Sequence, residues 1–204
     1  PGQPGPGEIR VRNHWCGINA IFDTQIARNA VDYVKIGLPT FTGVEALGTV
    51  EAVGDGVTGF APGDAVVTTR FTGGYREVNT GPAENFVLVP EARPEWLTLA
   101  STGVSALVAL EQIGELRDGE TVAISAAAGG LGHLLVQLAK LRGCHVIGIA
   151  GGAEKGAFVR DLGADRVIDY RCEDVAAVLA AEYPKGIDLA FDTVSGAIHD
   201  AFLA

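Results

Sequence analysis

The chain has 204 residues, of which 48% are hydrophobic and 20% are charged, and it contains 28 glycines. A chain of this length holds one large or two small domains, and its composition is typical of a globular α/β protein. The formal net charge of −10 argues against nucleic acid and acidic membrane surfaces as main partners. We also expect no membrane span and no leader, because no uninterrupted apolar run is long enough and no basic-then-apolar segment opens the chain.

The cysteines indicate a reducing environment. Cys16, Cys144 and Cys172 are odd in number and far apart in the chain. Because they form no CxxC pair, neither a disulfide framework nor a structural zinc site is indicated. Reduced thiols are the rule in the cytoplasm, so we predict a cytoplasmic location.

The first half of the chain has the sequence pattern of a β-rich domain. Short apolar runs bounded by glycine and proline predict strands at 9–12, 47–53, 65–68 and 86–90. Residues 19–42 are less regular and fit either a short helix or a long loop. Several strands without long intervening helices indicate a small barrel-like β-domain, which we place at 1–93.

The second half, 94–204, alternates strands with helices. Helical spacing over 94–115 is followed by predicted strands at 121–125, 145–150, 166–169 and 188–192, each leading into a helix. Strands connected in this way pair in parallel through right-handed crossovers, so we predict a doubly wound, Rossmann-type sheet. Such a fold usually has six strands. We therefore expect the sheet to be incomplete at its C-terminal end and the sequence to be a piece of a longer protein.

A glycine-rich turn joins the first strand of this sheet to its helix. Residues 127–132, Ala-Ala-Gly-Gly-Leu-Gly, depart from the G-x-G-x-x-G pattern only at the first position. Gly129 and Gly130 remove side chains where a pyrophosphate would sit, and Gly132 lets the helix pack close to the strand. The helix N-terminus offers free N–H groups to the anion. The alternative is a simple packing turn, and the strand–turn–helix context favours dinucleotide binding.

The end of the second strand indicates which dinucleotide is bound. An NAD site usually places Asp or Glu there to bind the ribose hydroxyls. Here the sequence is Ala-Gly-Gly-Ala at 150–153, followed by Glu154 and Lys155. No carboxylate at the strand tip repels a phosphate, while Lys155 supplies a cation and Tyr170 a hydroxyl. We predict NADPH over NADH, the alternative being that Lys155 is merely a solvated helix residue.

Several motifs then occur in a fixed order along the chain. They are 17–20, 43–48, 62–64, 102–106, 126–132, 148–155, 162–165, 169–170 and 192–196. Together they resemble the medium-chain dehydrogenase/reductase superfamily in its zinc-free quinone oxidoreductase branch, and within it the prostaglandin reductase 3-like enzymes. The resemblance covers nearly the whole chain after Gly7. It implies a GroES-like β-rich catalytic domain followed by a Rossmann-type cofactor domain.

The resemblance also implies an activity and its residues. The activity is NADPH-dependent hydride transfer to the activated C=C bond of an α,β-unsaturated ketone or a quinone. The implied cofactor residues are Ser105, Ala128, Gly129, Gly130, Leu131, Gly132, Gly151, Gly152, Lys155, Tyr170, Thr193 and Val194. Asn19 would line the nicotinamide site, or else be a buried turn asparagine that bonds to backbone. Tyr33 and Tyr75 are candidate proton donors, with water as the alternative.

The same resemblance argues against zinc. Zinc alcohol dehydrogenases of this superfamily carry Cys at the position of Asn19 and His at the position of Val44, just before Glu45. A carboxylate alone cannot build a catalytic zinc site, and adding the nearby Cys16 still leaves fewer than three protein ligands. We therefore predict no metal.

Two other functions remain open at this point. Enoyl-thioester reductase domains of the polyketide synthase type share these motifs. A non-catalytic dinucleotide-binding protein or fragment would share them as well. In every case the expected partner is a small molecule, and because family members often dimerise through late strands of the cofactor sheet, the resemblance also allows a homodimer of the full-length protein.

Overall fold

The structure, a computed structural model, describes residues 2–30, 32, 37, 39–68 and 73–204. The chain divides into two compact units, Pro1–Ser101 and Thr102–Ala204. The predicted domain boundary at 93/94 precedes this division, which lies within the segment predicted to be helical.

The first unit is built on a five-stranded antiparallel sheet with the strand order β4-β1-β2-β3-β5. Its elements are β1 (Glu8–Gly17), α1 (Ala20–Ala27), β2 (Glu45–Val53), β3 (Ala65–Thr68), β4 (Val78–Pro82), a 3₁₀ turn (Ala83–Asn85), β5 (Phe86–Leu88) and α2 (Glu95–Thr98). Alternating residues of the strands, among them Ile9, Val11 and Val66, form an apolar core on one side of the sheet. The predicted β-rich domain is confirmed.

Two elements of this unit needed the structure to define them. The irregular stretch 19–42 begins with a true helix, α1, whose N-cap is Asn19. Strand β4 escaped prediction because its sequence, Val-Asn-Thr-Gly-Pro, has almost no apolar alternation. It is a strand because it pairs with β1, from Glu8 opposite Pro82 to Arg12 opposite Val78.

The second unit holds a four-stranded parallel sheet with the order β8-β7-β6-β9. Its elements are α3 (Val104–Val108), β6 (Thr121–Ile124), α4 (Gly132–Leu141), β7 (His145–Ala150), α5 (Ala153–Asp161), β8 (Arg166–Asp169), α6 (Val175–Glu182), β9 (Leu189–Phe191) and α7 (Ala197–Leu203). The predicted Rossmann-type fold is confirmed. The strand order reverses between β6 and β9, and a crevice at the carboxyl ends of such strands is where open α/β sheets bind ligands.

Both faces of the parallel sheet are buried. Val122 and Ile124 of β6 belong to the apolar cluster that contains Leu135 of α4, whereas Ala123 belongs to the cluster on the opposite face. A sheet covered on both faces has continuous apolar strands, which is the pattern that the sequence shows here.

The helical segment predicted over 94–115 contains turns of π-helix at Leu99–Gly103 and Ala109–Ile113. Among the residues that the structure describes, the helix Glu95–Ile113 is long and apolar enough to cross a membrane by length and composition. Core helices of soluble proteins pass the same test. The absence of a membrane partner therefore stays a prediction.

The core of the second unit supports a matched test on α4. Leu135 is 0% exposed and Leu141 is 82% exposed. We expect Leu135→Ala to lower the free energy of unfolding by about 2–5 kcal/mol, through lost burial and the cavity left behind. Leu141→Ala should change it by less than about 0.5 kcal/mol. Urea denaturation of both variants measures this, and equal losses would contradict the packing described here.

Candidate functional site

The turn between β6 and α4 brings the helix close to the strand. A Cβ atom on Gly132 would collide with the carbonyl oxygen of Ala126 and would lie 2.8 Å from the Cα of Ala127. Ala126 itself adopts a left-handed conformation, with φ of 44°. By contrast, a Cβ on Gly130 would meet no atom within 4 Å. Gly132 therefore allows the close packing, whereas Gly130 faces open space.

A cavity of about 440 Å³ opens beside this turn. Its walls come from the segments that follow β6, β7, β8 and β9, at the carboxyl edge of the parallel sheet. The lining residues are Ala126, Ala128, Gly129, Ala150, Gly151, Lys155, Tyr170, Val194, Ser195, Ala197 and Ile198. Six of the residues that the sequence analysis assigned to the cofactor are in this lining, namely Ala128, Gly129, Gly151, Lys155, Tyr170 and Val194.

The other predicted cofactor residues lie around this cavity or farther from it. Gly130 and Leu131 belong to the turn, and Gly132 begins α4. Ser105 is an exposed residue of α3 and is not in the cavity lining.

One end of the cavity is shaped by a tyrosine lying against a glycine. A Cβ on Gly151 would lie 2.5 Å from Cζ of Tyr170 and 2.6 Å from its hydroxyl oxygen. Gly152 follows with φ of 94° and is the N-cap of α5. Its N–H donates to Oδ1 of Asp169 at 2.9 Å, and this bond lowers the pKa of Asp169. The two glycines thus let the chain turn tightly under the Tyr170 ring.

A second cation, Arg171, lies at this end and was not among the predicted cofactor residues. Its Nη1 lies 3.1 Å from where a Cβ on Gly152 would be. Within the described part of the chain, Arg171 and Lys155 form no ion pair within 4 Å. Arg171 directly follows Tyr170 in the sequence. An exposed arginine after a strand belongs to no recognised motif, so the sequence alone does not mark it.

A buried serine fixes the loop that follows β9. The hydroxyl of Ser125 donates to Oδ1 of Asp192 at 3.0 Å and accepts from the N–H of Thr193 at 2.7 Å. The N–H groups of Val194 and Ser195 also donate to Asp192, and the first of these is the largest cause of its lowered pKa. This network holds Thr193 and Val194 beside the glycine-rich turn, and Ser125 was not among the predicted site residues.

In the first unit, Asn19 and Tyr75 meet at a buried carboxylate. The backbone N–H of Asn19 donates to Oδ2 of Asp23 at 3.0 Å, and the hydroxyl of Tyr75 donates to the same oxygen at 2.5 Å. The side-chain oxygen of Asn19 caps α1 by accepting from the N–H of Phe22 at 3.4 Å. Asp23 had no motif to mark it in the sequence. Tyr33, the other predicted proton donor, lies outside the described residues.

The surroundings of the Tyr75 hydroxyl make it a weaker acid than an ordinary tyrosine. Burial and the hydrogen bond to Asp23 raise the pKa of Tyr75 well above its usual value. Nevertheless 38% of the residue is exposed. It lines two open cavities, of about 550 and 430 Å³.

The residues at the position of the superfamily's zinc site do not form a zinc-binding set. The amide oxygen of Asn19 caps a helix, and Val44 packs against Ile26 in an apolar cluster. Glu45 is 9% exposed, and burial raises its pKa. Across 2–30, 39–68 and 73–204, no three His, Cys, Asp or Glu side chains are grouped so that they could hold a metal ion. The donor set required for zinc is therefore missing here.

The two glycines of the turn give a first test of the site. We expect Gly132→Ala to lower the free energy of unfolding by about 1–3 kcal/mol, because the new methyl group collides with the backbone of the turn. Gly130→Ala should fold with nearly unchanged stability, since its methyl group projects into open space. Thermal denaturation of the two variants checks this, and a larger loss for Gly130→Ala would show the packing to be wrong.

The buried Glu45 gives a test with a defined sign. Its raised pKa means that the folded state favours the neutral acid, so this stabilisation is full below the ordinary pKa of 4.5 and is lost as pH rises through the folded value. Glu45→Gln removes the titration. We expect the stability of this variant relative to wild type, measured by urea denaturation, to increase as the pH rises above the ordinary pKa of 4.5. A difference that is constant with pH would contradict the assignment.

Comparison with known proteins finds a matching family for each half of the chain. Residues 5–93 match the family described as "Alcohol dehydrogenase GroES-like domain", and residues 130–204 match "Zinc-binding dehydrogenase". Prostaglandin reductase-3 of Mus musculus is 39% identical over 97% of this chain and 52% of its own length. A probable quinone oxidoreductase of Leishmania amazonensis is 37% identical over 96% of this chain and 57% of its own.

A solved structure is also similar to this chain over its whole length. Escherichia coli quinone oxidoreductase complexed with NADPH is 33% identical, with a TM-score of 0.86, and the match covers 100% of this chain and 63% of that one. The chain thus spans about half the length of the curated relatives it matches. It belongs to the medium-chain dehydrogenase/reductase superfamily, in the branch of the quinone oxidoreductases.

Proposed function

We propose that the protein is an NADPH-dependent oxidoreductase that reduces the activated C=C bond of an α,β-unsaturated ketone or a quinone, without a metal. The observation that carries this proposal is the cavity at the carboxyl edge of the parallel sheet, where the glycine-rich turn and the N-terminus of α4 meet. The named relatives, a prostaglandin reductase and quinone oxidoreductases, support a reductase.

The choice of NADPH is supported by charge at the far end of the cavity. Lys155 lines the cavity, and the guanidinium of Arg171 lies near Gly152. The hydroxyl of Tyr170 lies beside Gly151, and the carboxylate of Asp169 accepts from the backbone N–H groups of Gly152 and Arg171. A ribose 2′-phosphate would meet two cations and a hydroxyl there. A similar protein of known structure was solved in complex with NADPH.

The roles of this chain's own residues follow from where they lie. When bound, NADPH supplies the hydride. The turn at 129–132 would hold the pyrophosphate through backbone N–H groups and the helix N-terminus. The loop fixed by Ser125 would hold Thr193 and Val194 against the nicotinamide half. With the zinc ligands missing, we infer that hydrogen bonds polarise the substrate carbonyl, with Asn19 as the candidate donor.

The cofactor assignment has a direct binding test with a matched control. We expect Lys155→Ala and Arg171→Ala each to weaken NADPH binding about 10-fold, which is about 1.4 kcal/mol. NADH binding should stay unchanged, because NADH has no 2′-phosphate. The control is Arg160→Ala, which removes an exposed cation from the same helix as Lys155 but from outside the cavity lining. Fluorescence titration of each variant with both dinucleotides measures this, and parallel losses for NADH would overturn the NADPH assignment.

Measurements of NADPH oxidation distinguish the proposed function from the two alternative functions. NADPH oxidation is followed with enones, quinones and enoyl thioesters in turn, and we expect turnover of an enone or a quinone. Preference for the thioester would favour the polyketide-type enoyl reductase instead. Binding of NADPH without turnover of any of them would favour the non-catalytic alternative. A cytoplasmic location, a homodimer of the full-length protein and the absence of nucleic acid and membrane partners remain predictions.

A further inference from the structure

The glycine-rich turn before α4 keeps several of its backbone N–H groups unused. The N–H of Gly129 donates to the carbonyl oxygen of Ala126 at 2.7 Å, so it belongs to the turn itself. The N–H groups of Gly130, Leu131 and Gly132 donate to no protein group within the described part of the chain. Unused N–H groups at a helix N-terminus are donors for an anion. These three are therefore the donors that the turn offers to a pyrophosphate.

A histidine side chain fixes the peptide from which the first of these N–H groups projects. Nδ1 of His133 lies 2.9 Å from the carbonyl oxygen of Gly129. Because a carbonyl oxygen only accepts, Nδ1 carries the proton and donates it in this bond. The backbone N–H of His133 donates to the same oxygen at 3.0 Å. Two bonds from one residue thus set the orientation of the Gly129 carbonyl.

The geometry of the peptide bond passes this restraint to the next residue. In a planar trans peptide, the C=O of one residue and the N–H of the following residue point in opposite directions. Since the C=O of Gly129 points towards His133 in the first turn of α4, the N–H of Gly130 points out past the end of the helix. Two consecutive glycines have no side chains to limit the rotation of this peptide. The side-chain bond from His133 supplies the restraint that the glycines lack.

The imidazole is itself held by packing. The His133 ring is half-buried, and its centroid lies 6.3 Å from that of Phe158 on α5. Phe158 is three residues after Lys155 and so lies on the same side of α5. His133 is not in the cavity lining. It therefore acts on a bound molecule through the Gly129 peptide and not by direct contact.

We propose that His133 is a positioning residue for the pyrophosphate of the dinucleotide. Its Nδ1–H holds the Gly129 carbonyl, and the N–H of Gly130 stays aimed at the anion before the dinucleotide binds. This rests on the proposed function, which supplies the dinucleotide as ligand. A donor that is already oriented loses less freedom on binding, so the affinity rises. NADPH and NADH share the pyrophosphate, so His133 affects both, whereas Lys155 and Arg171 select between them.

The first test compares three variants in fluorescence titrations with NADPH and with NADH. His133→Phe keeps a ring against Phe158 but removes Nδ1–H, and we expect it to bind both dinucleotides about 5-fold more weakly, as for one lost hydrogen bond. His133→Asn places an amide nitrogen near the position of Nδ1 and should bind both as wild type does. The matched control is His145→Phe, which alters an exposed histidine at the start of β7, at the strand end opposite the cavity. It should also bind as wild type.

The pattern across the two dinucleotides decides the outcome. Equal losses in His133→Phe with recovery in His133→Asn support the positioning role, because the shorter amide would not repair a helix that is merely disturbed. Wild-type affinity in His133→Phe overturns the proposal. A loss confined to NADPH also overturns it, since that result would place the effect at the 2′-phosphate and not at the pyrophosphate.

A measurement on the unaltered protein covers the case in which His133→Phe does not fold. Nitrogen chemical shifts from NMR report which nitrogen of an imidazole carries a proton, and the His133→Asn spectrum identifies the His133 signals. Without cofactor, Nδ1 of His133 should be protonated, and a proton on Nε2 alone would overturn the proposal. If both dinucleotides bind as expected here but no enone or quinone is reduced, the proposed function fails and the role of His133 stands.

Discussion

The close approach of helix α4 to strand β6 is the constraint on which the second unit depends. Gly132 has no side chain where the carbonyl of Ala126 lies, so the N-terminus of the helix can point along the carboxyl edge of the sheet. The turn before the helix, at Ala126, Ala128 and Gly129, forms one wall of the cavity. Ser125 then holds the loop after β9 against the same edge through Asp192. The other walls are arranged around this contact.

The first unit shows a different feature, which is two buried carboxyl groups that form no ion pair among the described residues. Where zinc enzymes of the superfamily place a metal, this chain has a helix-capping asparagine and an apolar valine, and it retains the glutamate. Burial of that carboxyl raises its pKa.

Both predicted halves were visible in the sequence because their periodicity is strong. Strands β6 to β9 are apolar runs separated by helical spacing, and their predicted bounds agree with the structure to within about two residues. Strand β4 was missed because a ladder with β1, rather than its own side chains, makes it a strand. The turn at 127–132 and Lys155 were predicted because glycines and a cation beside a strand end form recognisable motifs. Arg171 and Ser125 form no motif, since their roles come from contacts with residues distant in the chain or from the backbone geometry of a glycine.

The sequence by itself determined the two-part organisation, the glycine-rich turn and the presence of Asn19 and Val44 where zinc enzymes carry Cys and His, since each depends on residues that are close together in the chain. Only the tertiary structure decided which groups share a buried space. Asp23 and Tyr75 are 52 residues apart, and Ser125 and Asp192 are 67 apart. The pKa of Glu45 likewise depends on its burial and on neighbours from other elements. Burial and long-range hydrogen bonds exist only after the chain has folded, so no local pattern can encode them.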